Sequence, residues 1–314
     1  MKKDLTKVST VGMSREEWLE RRTHTIGGSD AAAIIGLNKW SSPYSVWADK
    51  LCKLPPKEEN EAMRLGRDLE DYVAKRFTEA VGKKVRRENA MLYNPDYPFA
   101  HADVDRMVIG EDAGLECKTT SVLNLKQFKG GEYPAHYYVQ CVHYLAVTGC
   151  QRWYLGVLVL GQGFYHYVIE RDEAEIEALM SSEAEFWKLV ESRTPPMADG
   201  SEATSEAIRT VFSESNDSEV DLTAYNVDLE AYDALGKKIK ELETQRDEIG
   251  NKIKGYMGES GRGSSAGFKV TWTSSSRSTF DSKRFQKEHP SLDLSKYNKT
   301  SSTRTFRVTK LLEN

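Results

Sequence analysis

Residues 114–120, GLECKTT, decide how this sequence is interpreted. The stretch has the composition of a short β-strand, and it carries an acid and a base two positions apart, Glu116 and Lys118. Side chains two apart on a strand point to the same side, so both charges share one face while Leu115 and Cys117 share the other. The stretch therefore predicts a strand with one apolar face on a core and one charged face at the rim of that core.

A second acid precedes this strand. Asp103 follows a proline-containing loop and leads into another predicted strand, with Asp105 two residues further on. An aspartate at such a place is commonly a turn former, and that interpretation stays open. If residues 103–109 and 115–120 form a hairpin, however, Asp103 and Glu116 converge and can hold one metal ion.

A third acid lies on a predicted helix over residues 61–80. On a helical wheel, Glu70 falls in the middle of an apolar stripe formed by Met63, Val73, Phe77 and Val81. A bare carboxylate is costly there, so Glu70 must be paired, protonated or bound to a cation. A structural salt bridge is the alternative to a role at a site.

The order of predicted elements gives the fold class. Helices, a central meander of strands and further helices predict an α/β (α+β) fold with a central mixed sheet flanked by helices. Capping-box spacings at Ser14 and Asp172 mark two helix starts, and a proline and a glycine bracket a helix at residues 134–149. Either Ser29 or Asp30 can cap a helix after the Gly27-Gly28 break.

The chemistry of the three acids is that of a magnesium site. Asp103 and Glu116 supply hard oxygen ligands of the kind that Mg²⁺ prefers, and Glu70 can reach the same ion from its helix. Lys118 can orient a water molecule or offset negative charge that develops on a phosphate.

These motifs resemble the PD-(D/E)xK nuclease superfamily and, more narrowly, the YqaJ-type viral recombinases related to the lambda exonuclease. The resemblance covers roughly residues 14–195. Ala102 replaces the proline of the nominal motif. The stretches that carry the resemblance, besides Asp103 and the Glu-x-Lys strand, are WLERRTHTIGGSDAAAIIG (18–36), LGRDLE (65–70) and HYYVQCVHYLAVTG (136–149).

The resemblance implies a role for each matching residue. Asp103 and Glu116 become metal ligands, Glu70 the helix carboxylate at the metal, and Lys118 the water-orienting base or charge stabiliser. Gln140 matches a glutamine near the site, although a half-buried core amide explains it equally well.

The first motif implies a site for a terminal 5′-phosphate at Arg22 and Ser29. A guanidinium forks onto phosphate oxygens, and a serine at a helix start adds a hydroxyl and free N–H groups. His101 stands where the family has a phosphate-binding serine, and Asn124 stands near the place of an expected arginine. Plain N-capping by Ser29 is compatible with this role.

The resemblance also implies the activity: a metal-dependent 5′-to-3′ exonuclease on linear double-stranded DNA, with Mg²⁺ or alternatively Mn²⁺. Its product would be 3′ single-stranded tails for phage-type homologous recombination with an annealing protein of the RecT/Beta type. The expected partners are DNA ends and other copies of the chain in a ring-shaped homotrimer. A structure- or site-specific endonuclease on the same core is the alternative enzyme.

The cysteines bear on cofactor and compartment. An iron–sulfur nuclease needs four cysteine ligands with a group of them after the catalytic core, and no cysteine follows Cys150. We therefore expect no iron–sulfur cluster. The N-terminal lysines are not followed by an apolar run of the kind that signal peptides have, and no apolar stretch is long enough to span a bilayer. The expected location is therefore the cytoplasm of a bacterium or phage-infected host cell.

The resemblance implies an exonuclease core at 1–196, and composition predicts a linker or arm at 197–228 followed by a C-terminal region at 229–314. A heptad-like stripe over residues 232–256 predicts a coiled-coil or helical-hairpin arm, or equally a helix packed on its own domain. The remaining piece reads as two or three strands around a short helix.

The C-terminal region is basic. From Gly261 onward 11 Lys and Arg face 4 Asp and Glu, although the whole chain has a net charge of −4. A non-catalytic DNA-binding or assembly protein is thus the third hypothesis, with a small core under a solvated charged face as its simpler counterpart. The interleaved aromatic and basic residues are Trp272, Arg277, Phe280, Lys283, Arg284, Phe285, Tyr297, Lys299, Arg304, Phe306 and Arg307.

Overall fold

A computed structural model of the protein describes residues 4–56, 58–290, 292, 294–297 and 303–311. The chain forms two compact units, Met1–Phe212 and Ser213–Asn314. The strands are β1 (Thr6–Ser9), β2 (Ile26–Gly27), β3 (Val85–Arg87), β4 (Ala90–Tyr93), β5 (Ala100–Asp103), β6 (Arg106–Val108), β7 (Ala113–Thr120), β8 (Arg152–Val159), β9 (Gly163–Glu170), β10 (Arg262–Ser264) and β11 (Lys269–Thr271). The α-helices are α1 (Arg15–Thr23), α2 (Gly28–Ile34), α3 (Pro43–Lys50), α4 (Glu61–Val81), α5 (Ala135–Thr148), α6 (Glu173–Glu191), α7 (Glu202–Val211), α8 (Asn226–Met257) and α9 (Ser282–Glu288).

The larger sheet is built around the strand predicted at 114–120. Its order is β3-β6-β7-β8-β9, with β7 and β8 parallel and the other neighbours antiparallel. Parallel neighbours need a crossover, and α5 supplies it between β7 and β8. A mixed sheet flanked by helices is therefore confirmed.

The two faces of β7 pack as the alternation predicts. Leu115 is fully buried in a cluster with Ala74 and Phe77 of α4, and Cys117 packs against the same cluster. The opposite face, with Glu116 and Lys118, meets α5. Helix α4 thus covers the apolar face, and α5 lies over the charged one.

A smaller sheet carries His101 and Asp103. Its order is β1-β4-β5-β2, and β2 runs parallel to β5 with Gly27 opposite His101. Asp103 ends β5 and pairs with β4, whereas the hairpin partner of β7 is β6, with Arg106 opposite Leu115. The predicted hairpin of residues 103–109 is therefore shorter than expected, and Asp103 belongs to the other sheet.

The segment predicted as a linker contains a packed helix. Helix α7 (Glu202–Val211) buries Thr204 and Ala207, and the Thr204 hydroxyl donates to Ser42 Oγ over 2.7 Å. Ten residues of the segment predicted as a linker or arm at 197–228 thus form a packed helix. Because these residues are mostly small and polar, no pattern in the sequence indicated a short helix, yet α7 packs on α3 through Thr204 and Ala207.

The second unit is built differently. Its described residues contain a 32-residue helix, α8, the two-stranded pair β10–β11 and the short helix α9. No third strand forms at the described residues 303–311, and none of the described residues after Ala207 is buried. Lys299, one of the predicted basic residues, lies outside the described residues. None of the helices in the described ranges is long and apolar enough to cross a bilayer.

Candidate active site

Strand β7 presents its acid and its base to one place. Glu116 is almost fully buried, and the Lys118 ammonium lies 2.5 Å from Glu116 Oε1. Burial works against the charge on Lys118, but Glu116 and Asp105 outweigh it and raise the pKa of the lysine above its usual value. Lys118 is consequently an ammonium, suited to stabilising negative charge rather than to accepting a proton.

Helix α5 ties this pair together through Gln140. The Gln140 amide donates to Glu116 Oε1 and to the Tyr144 hydroxyl, each over 2.9 Å, and its carbonyl oxygen accepts from Lys118 over 2.9 Å. All of these contacts point into the site, so the amide is oriented by its neighbours. A Cβ on Gly28 would lie 2.6 Å from the Tyr144 ring, and for this reason α2 can approach α5 only with glycine at that position.

Asp105 is the acid that shares this charged region with Glu116. Its Oδ2 accepts the Cys117 backbone N–H over 2.7 Å, which fixes it at the middle of β7. Burial, followed by the charges of Glu116 and Glu70, raises the pKa of Asp105 well above its ordinary value. The negative charges of Glu116 and Glu70 thus act against ionisation of Asp105, and a bound cation would relieve this repulsion.

Glu70 reaches the site from α4 and is held by an arginine. Arg106, almost fully buried, donates to Glu70 and, over 2.6 Å, to Asp71 Oδ1. The requirement that Glu70 be paired is thus met by Arg106, the first residue of β6. Asp71 is exposed, yet hydrogen bonds and charges from Arg87 and Arg106 hold its pKa below the ordinary value.

Asp103 has different neighbours. Its Oδ2 lies 3.6 Å from the Arg22 guanidinium and 3.5 Å from His101 Nε2. His101 is completely buried, its Nδ1 lies 2.9 Å from the Thr25 hydroxyl, and burial lowers the pKa of its ring. Asp103 therefore faces the arginine side of the site, while Asp105 faces Glu116.

Arg22 and Ser29 come together as the resemblance implies. Arg22 donates to Ser29 Oγ over 2.7 Å, and its guanidinium lies 4.6 Å from the Trp18 ring centroid. Ser29 is exposed in the first turn of α2, and it does not cap that helix: the N-cap is Gly27, whose N–H donates to Asp30. The Ser29 hydroxyl is consequently free of capping.

A buried lysine supports the arginine. Lys50 donates to the Arg22 carbonyl over 2.8 Å and to Asp30 Oδ2 over 2.7 Å. Burial opposes the charge on Asp30, but Lys50 and Arg22 hold its pKa well below the ordinary range. The carboxylate therefore remains ionised and anchors the turn that presents Arg22 and Ser29.

A second buried pair holds β5. His143 Nδ1 lies 2.8 Å from Glu183 Oε1, and its Nε2 lies 2.8 Å from the His101 carbonyl oxygen. Both ring nitrogens have an oxygen partner, and Glu183 raises the pKa of the ring against the effect of burial. This pair links α5, α6 and β5 behind the site.

Two cavities, of about 190 and 170 Å³, open over these residues and share Trp18, Asp103 and Asp105 as lining residues. The larger is also lined by Arg22, Gly27, Gly28, Ser29, His101, Glu116, Gln140 and Tyr144. The smaller includes Glu70 and Arg106. Acids thus line one side of the larger cavity, and Arg22 with Ser29 lines the other.

The donor set fits a divalent metal. Asp105, Glu116 and Glu70 offer only carboxylate oxygens, and Glu116 Oε2 is buried without a hydrogen-bond partner. Within the described residues no three His, Cys, Asp or Glu side chains are already gathered as a ligand set. The reason is local: Lys118 draws Glu116 and Arg106 draws Glu70.

The sequence analysis named most of this site but missed Asp105, Arg106 and Tyr144 as participants. The signal for Asp105 is the hairpin itself, because the acid directly before the strand that pairs with β7 is Asp105. Arg106 and Tyr144 have no signal in a single sequence, since each acts through contacts between distant segments.

Comparisons with known proteins show which family the sequence matches. Residues 17–151 match the model of the YqaJ-like viral recombinase domain. The YqaJ protein of Bacillus subtilis (strain 168) is 40% identical over 302 residues, which cover 94% of this chain and 93% of that protein.

Two solved structures are similar at a lower level. An alkaline exonuclease from Laribacter hongkongensis is 22% identical with a TM-score of 0.48, covering 57% of this chain and 93% of that one. A phage-related exonuclease from Haemophilus somnus 129PT is 15% identical with a TM-score of 0.42, covering 56% and 99%. Both TM-scores lie below 0.5, so the family assignment rests on the Bacillus relative and the family model.

Proposed function

The chain belongs to the YqaJ family, and we propose that it is a metal-dependent exonuclease that degrades linear double-stranded DNA in the 5′-to-3′ direction. The observation that carries the proposal is the buried Glu116–Lys118 pair with Asp105 beside it, whose pKa is raised by burial and by the charges of Glu116 and Glu70. A perturbed acid beside a fixed ammonium is an arrangement suited to phosphodiester hydrolysis at a metal ion.

Asp105, Glu116 and Glu70 would hold the metal, with Mg²⁺ favoured by their oxygen donors and Mn²⁺ an alternative. When bound, such an ion supplies an activated water molecule and neutralises charge on the scissile phosphate. The sequence predicted Asp103 in place of Asp105. We prefer Asp105 because it accepts from the β7 backbone and faces Glu116, whereas Asp103 faces Arg22 and His101.

Lys118 would act on the same phosphate, and Gln140 would hold Lys118 in place. The Lys118 ammonium stabilises negative charge as the phosphorus becomes five-coordinate, and Gln140 keeps both Lys118 and Glu116 in position. A metal held by Glu116 and Glu70 would compete with their ion pairs to Lys118 and Arg106, the two cations that lie closest to these acids.

The far side of the larger cavity would receive the 5′-phosphate at the end of the strand. Arg22 offers a forked donor held against Trp18, and the Ser29 hydroxyl adds a second one. His101 also lines this cavity as a buried ring, and because its Nε2 lies 3.5 Å from Asp103 Oδ2, we assign it to the surroundings of Asp103 rather than to the phosphate. A phosphate site beside a cleavage site favours successive removal of nucleotides from a 5′ end.

The biological role follows from this polarity. Removal of one strand from 5′ ends leaves 3′ single-stranded tails, which are substrates for an annealing protein of the RecT/Beta type. The family description, a viral recombinase domain, supports a place in recombination. A ring-shaped homotrimer around the DNA is part of the proposal, since a closed ring retains the substrate between cleavage events.

The test compares linear duplexes that carry a 5′-phosphate or a 5′-hydroxyl with a covalently closed circle, each in Mg²⁺ and in EDTA. We expect degradation of linear DNA only in Mg²⁺, a faster start from the phosphorylated end, and an intact circle. In the Arg22→Gln variant the two ends should start equally slowly. Cleavage of the circle would establish an endonuclease instead, and equal rates in EDTA would exclude a metal-dependent nuclease.

A further inference from the structure

Helix α8 exposes an apolar stripe that is interrupted once, by Arg246. The seven apolar side chains of this stripe are between 44% and 95% exposed, and no residue of α8 is buried. A stripe of this length on a soluble helix marks an interaction surface. Its members are Tyr232, Leu235, Ile239, Leu242, Ile249, Ile253 and Tyr256.

The stripe has the periodicity of a coiled coil. Steps of three and four alternate without exception from residue 232 to 256 once Arg246 is included. Ile239 and Ile253 then occupy a positions, and Leu235 and Leu242 occupy d positions. This pattern of residues at a and d is the one found in two-stranded parallel coiled coils, and a seven-residue repeat suits a partner that supercoils with the helix.

The charges that flank the stripe favour a second copy of α8 in parallel orientation as the partner. Lys238 occupies a g position and Glu243 the following e position, so in a parallel, in-register pair each Lys238 meets Glu243 of the other copy. The antiparallel arrangement that preserves the same apolar layers sets Lys238 near Lys252 and Glu243 near its own counterpart. Like charges oppose that arrangement, and opposite charges favour the parallel one.

The remaining charges of α8 leave these two side chains available. The ion pairs along the helix join Lys237 to Asp233 and Arg246 to Asp247. Arg246 is the single charged a position, and one polar residue in an apolar seam fixes register at some cost in stability.

We propose that α8 is a parallel, in-register coiled-coil arm whose partner is α8 of a second copy of this chain. The pairing rests on the heptad and its flanking charges, and it is independent of the nuclease proposal. The g-to-e contact is the same in two- and three-stranded parallel coils.

Disulfide trapping in the full chain tests the pairing directly. The background is Cys52→Ser, which removes the exposed cysteine among the four free cysteines. In this background Leu242→Cys places a thiol in the seam, and Thr244→Cys places one on the opposite, f-position side. We expect a disulfide-linked dimer of the Leu242→Cys chain at least about tenfold faster than of the Thr244→Cys chain, because d positions of parallel partners lie side by side. Equal rates, or no linked dimer, would overturn the proposal.

Charge reversal then tests the orientation. In the Leu242→Cys chain, Lys238→Glu or Glu243→Lys alone should slow trapping about fivefold, and the two together should restore it. If each reversal speeds trapping, the arms are not parallel and the proposal fails. DNA degradation by the same chains is measured alongside, so that a defect in the core is separated from a defect in the arm.

Discussion

Helices α4 and α8 carry the same kind of apolar stripe, but α8 leaves its stripe exposed apart from a ring contact between Tyr232 and Phe306. In α4, Val73 and Phe77 are fully buried under the larger sheet, whereas Leu235 and Ile239 of α8 are 60% and 56% exposed. Periodicity thus determines that a helix forms and which face is apolar. What covers that face depends on the rest of the fold: a sheet for α4 and, in our proposal, a second copy for α8.

The largest expected difference between the two units is the effect of a lysine substitution on the rate of DNA degradation. Lys118→Ala removes the ammonium beside Glu116, and we expect DNA degradation to fall about 10²–10³-fold. Lys240→Ala, an exposed lysine on α8, is the control and should leave the rate unchanged. The initial rate on linear duplex in Mg²⁺ measures both, and a Lys118→Ala rate equal to that of the control would remove the lysine from the mechanism.

The next contrast concerns stability. Phe77→Ala empties a fully buried site, and we expect the free energy of unfolding to fall by about 3–5 kcal/mol. Ile239→Ala truncates an exposed side chain and should change it by less than about 0.5 kcal/mol at protein concentrations too low for pairing. Urea unfolding of both variants makes the comparison, and similar losses would mean that α8 packs on its own unit.

The boundary between the units can be tested at α7. Thr204→Val removes the buried hydrogen bond to Ser42, and we expect a loss of about 1 kcal/mol. Ser205→Ala, on the exposed side of the same helix, is the matched control. If both variants unfold like the wild type, residues 202–211 behave as a linker after all.

The smallest expected effect has the opposite sign. The folded-state pKa of Asp105 is raised, so its ionisation destabilises the fold, increasingly as pH rises above the ordinary aspartate value. Asp105→Asn mimics the protonated acid and should raise Tm by about 2 °C at neutral pH in EDTA, with no difference near pH 4. Thermal melts across this range measure it, and a lowered Tm at pH 7 would contradict the raised pKa.

The sequence predicted much of the site because its signals are local. The alternation in GLECKTT predicted that Glu116 and Lys118 lie on one face, as they do. The helical wheel placed Glu70 on an apolar face and so predicted that its carboxylate is paired, and Arg106 pairs with it. Arg22 and Ser29 meet because they lie on α1 and α2, which are neighbours in the chain.

The features of the candidate site that the sequence did not predict have physical reasons as well. Asp103 and Asp105 are two apart and look alike in sequence, and only the pairing of β6 with β7 separates them. The partner of Glu70, Arg106, and the tie from His143 to the His101 carbonyl join segments far apart in the chain. Such contacts follow from the packing of whole elements and leave no local pattern.

The most direct test of the account is a matched pair of variants, Asp105→Asn and Asp103→Asn, measured for Mn²⁺ binding by calorimetry and for DNA degradation. The account predicts that Asp105→Asn loses both metal binding and activity, while Asp103→Asn still binds the metal. Loss of Mn²⁺ binding in Asp103→Asn with retention in Asp105→Asn would contradict it.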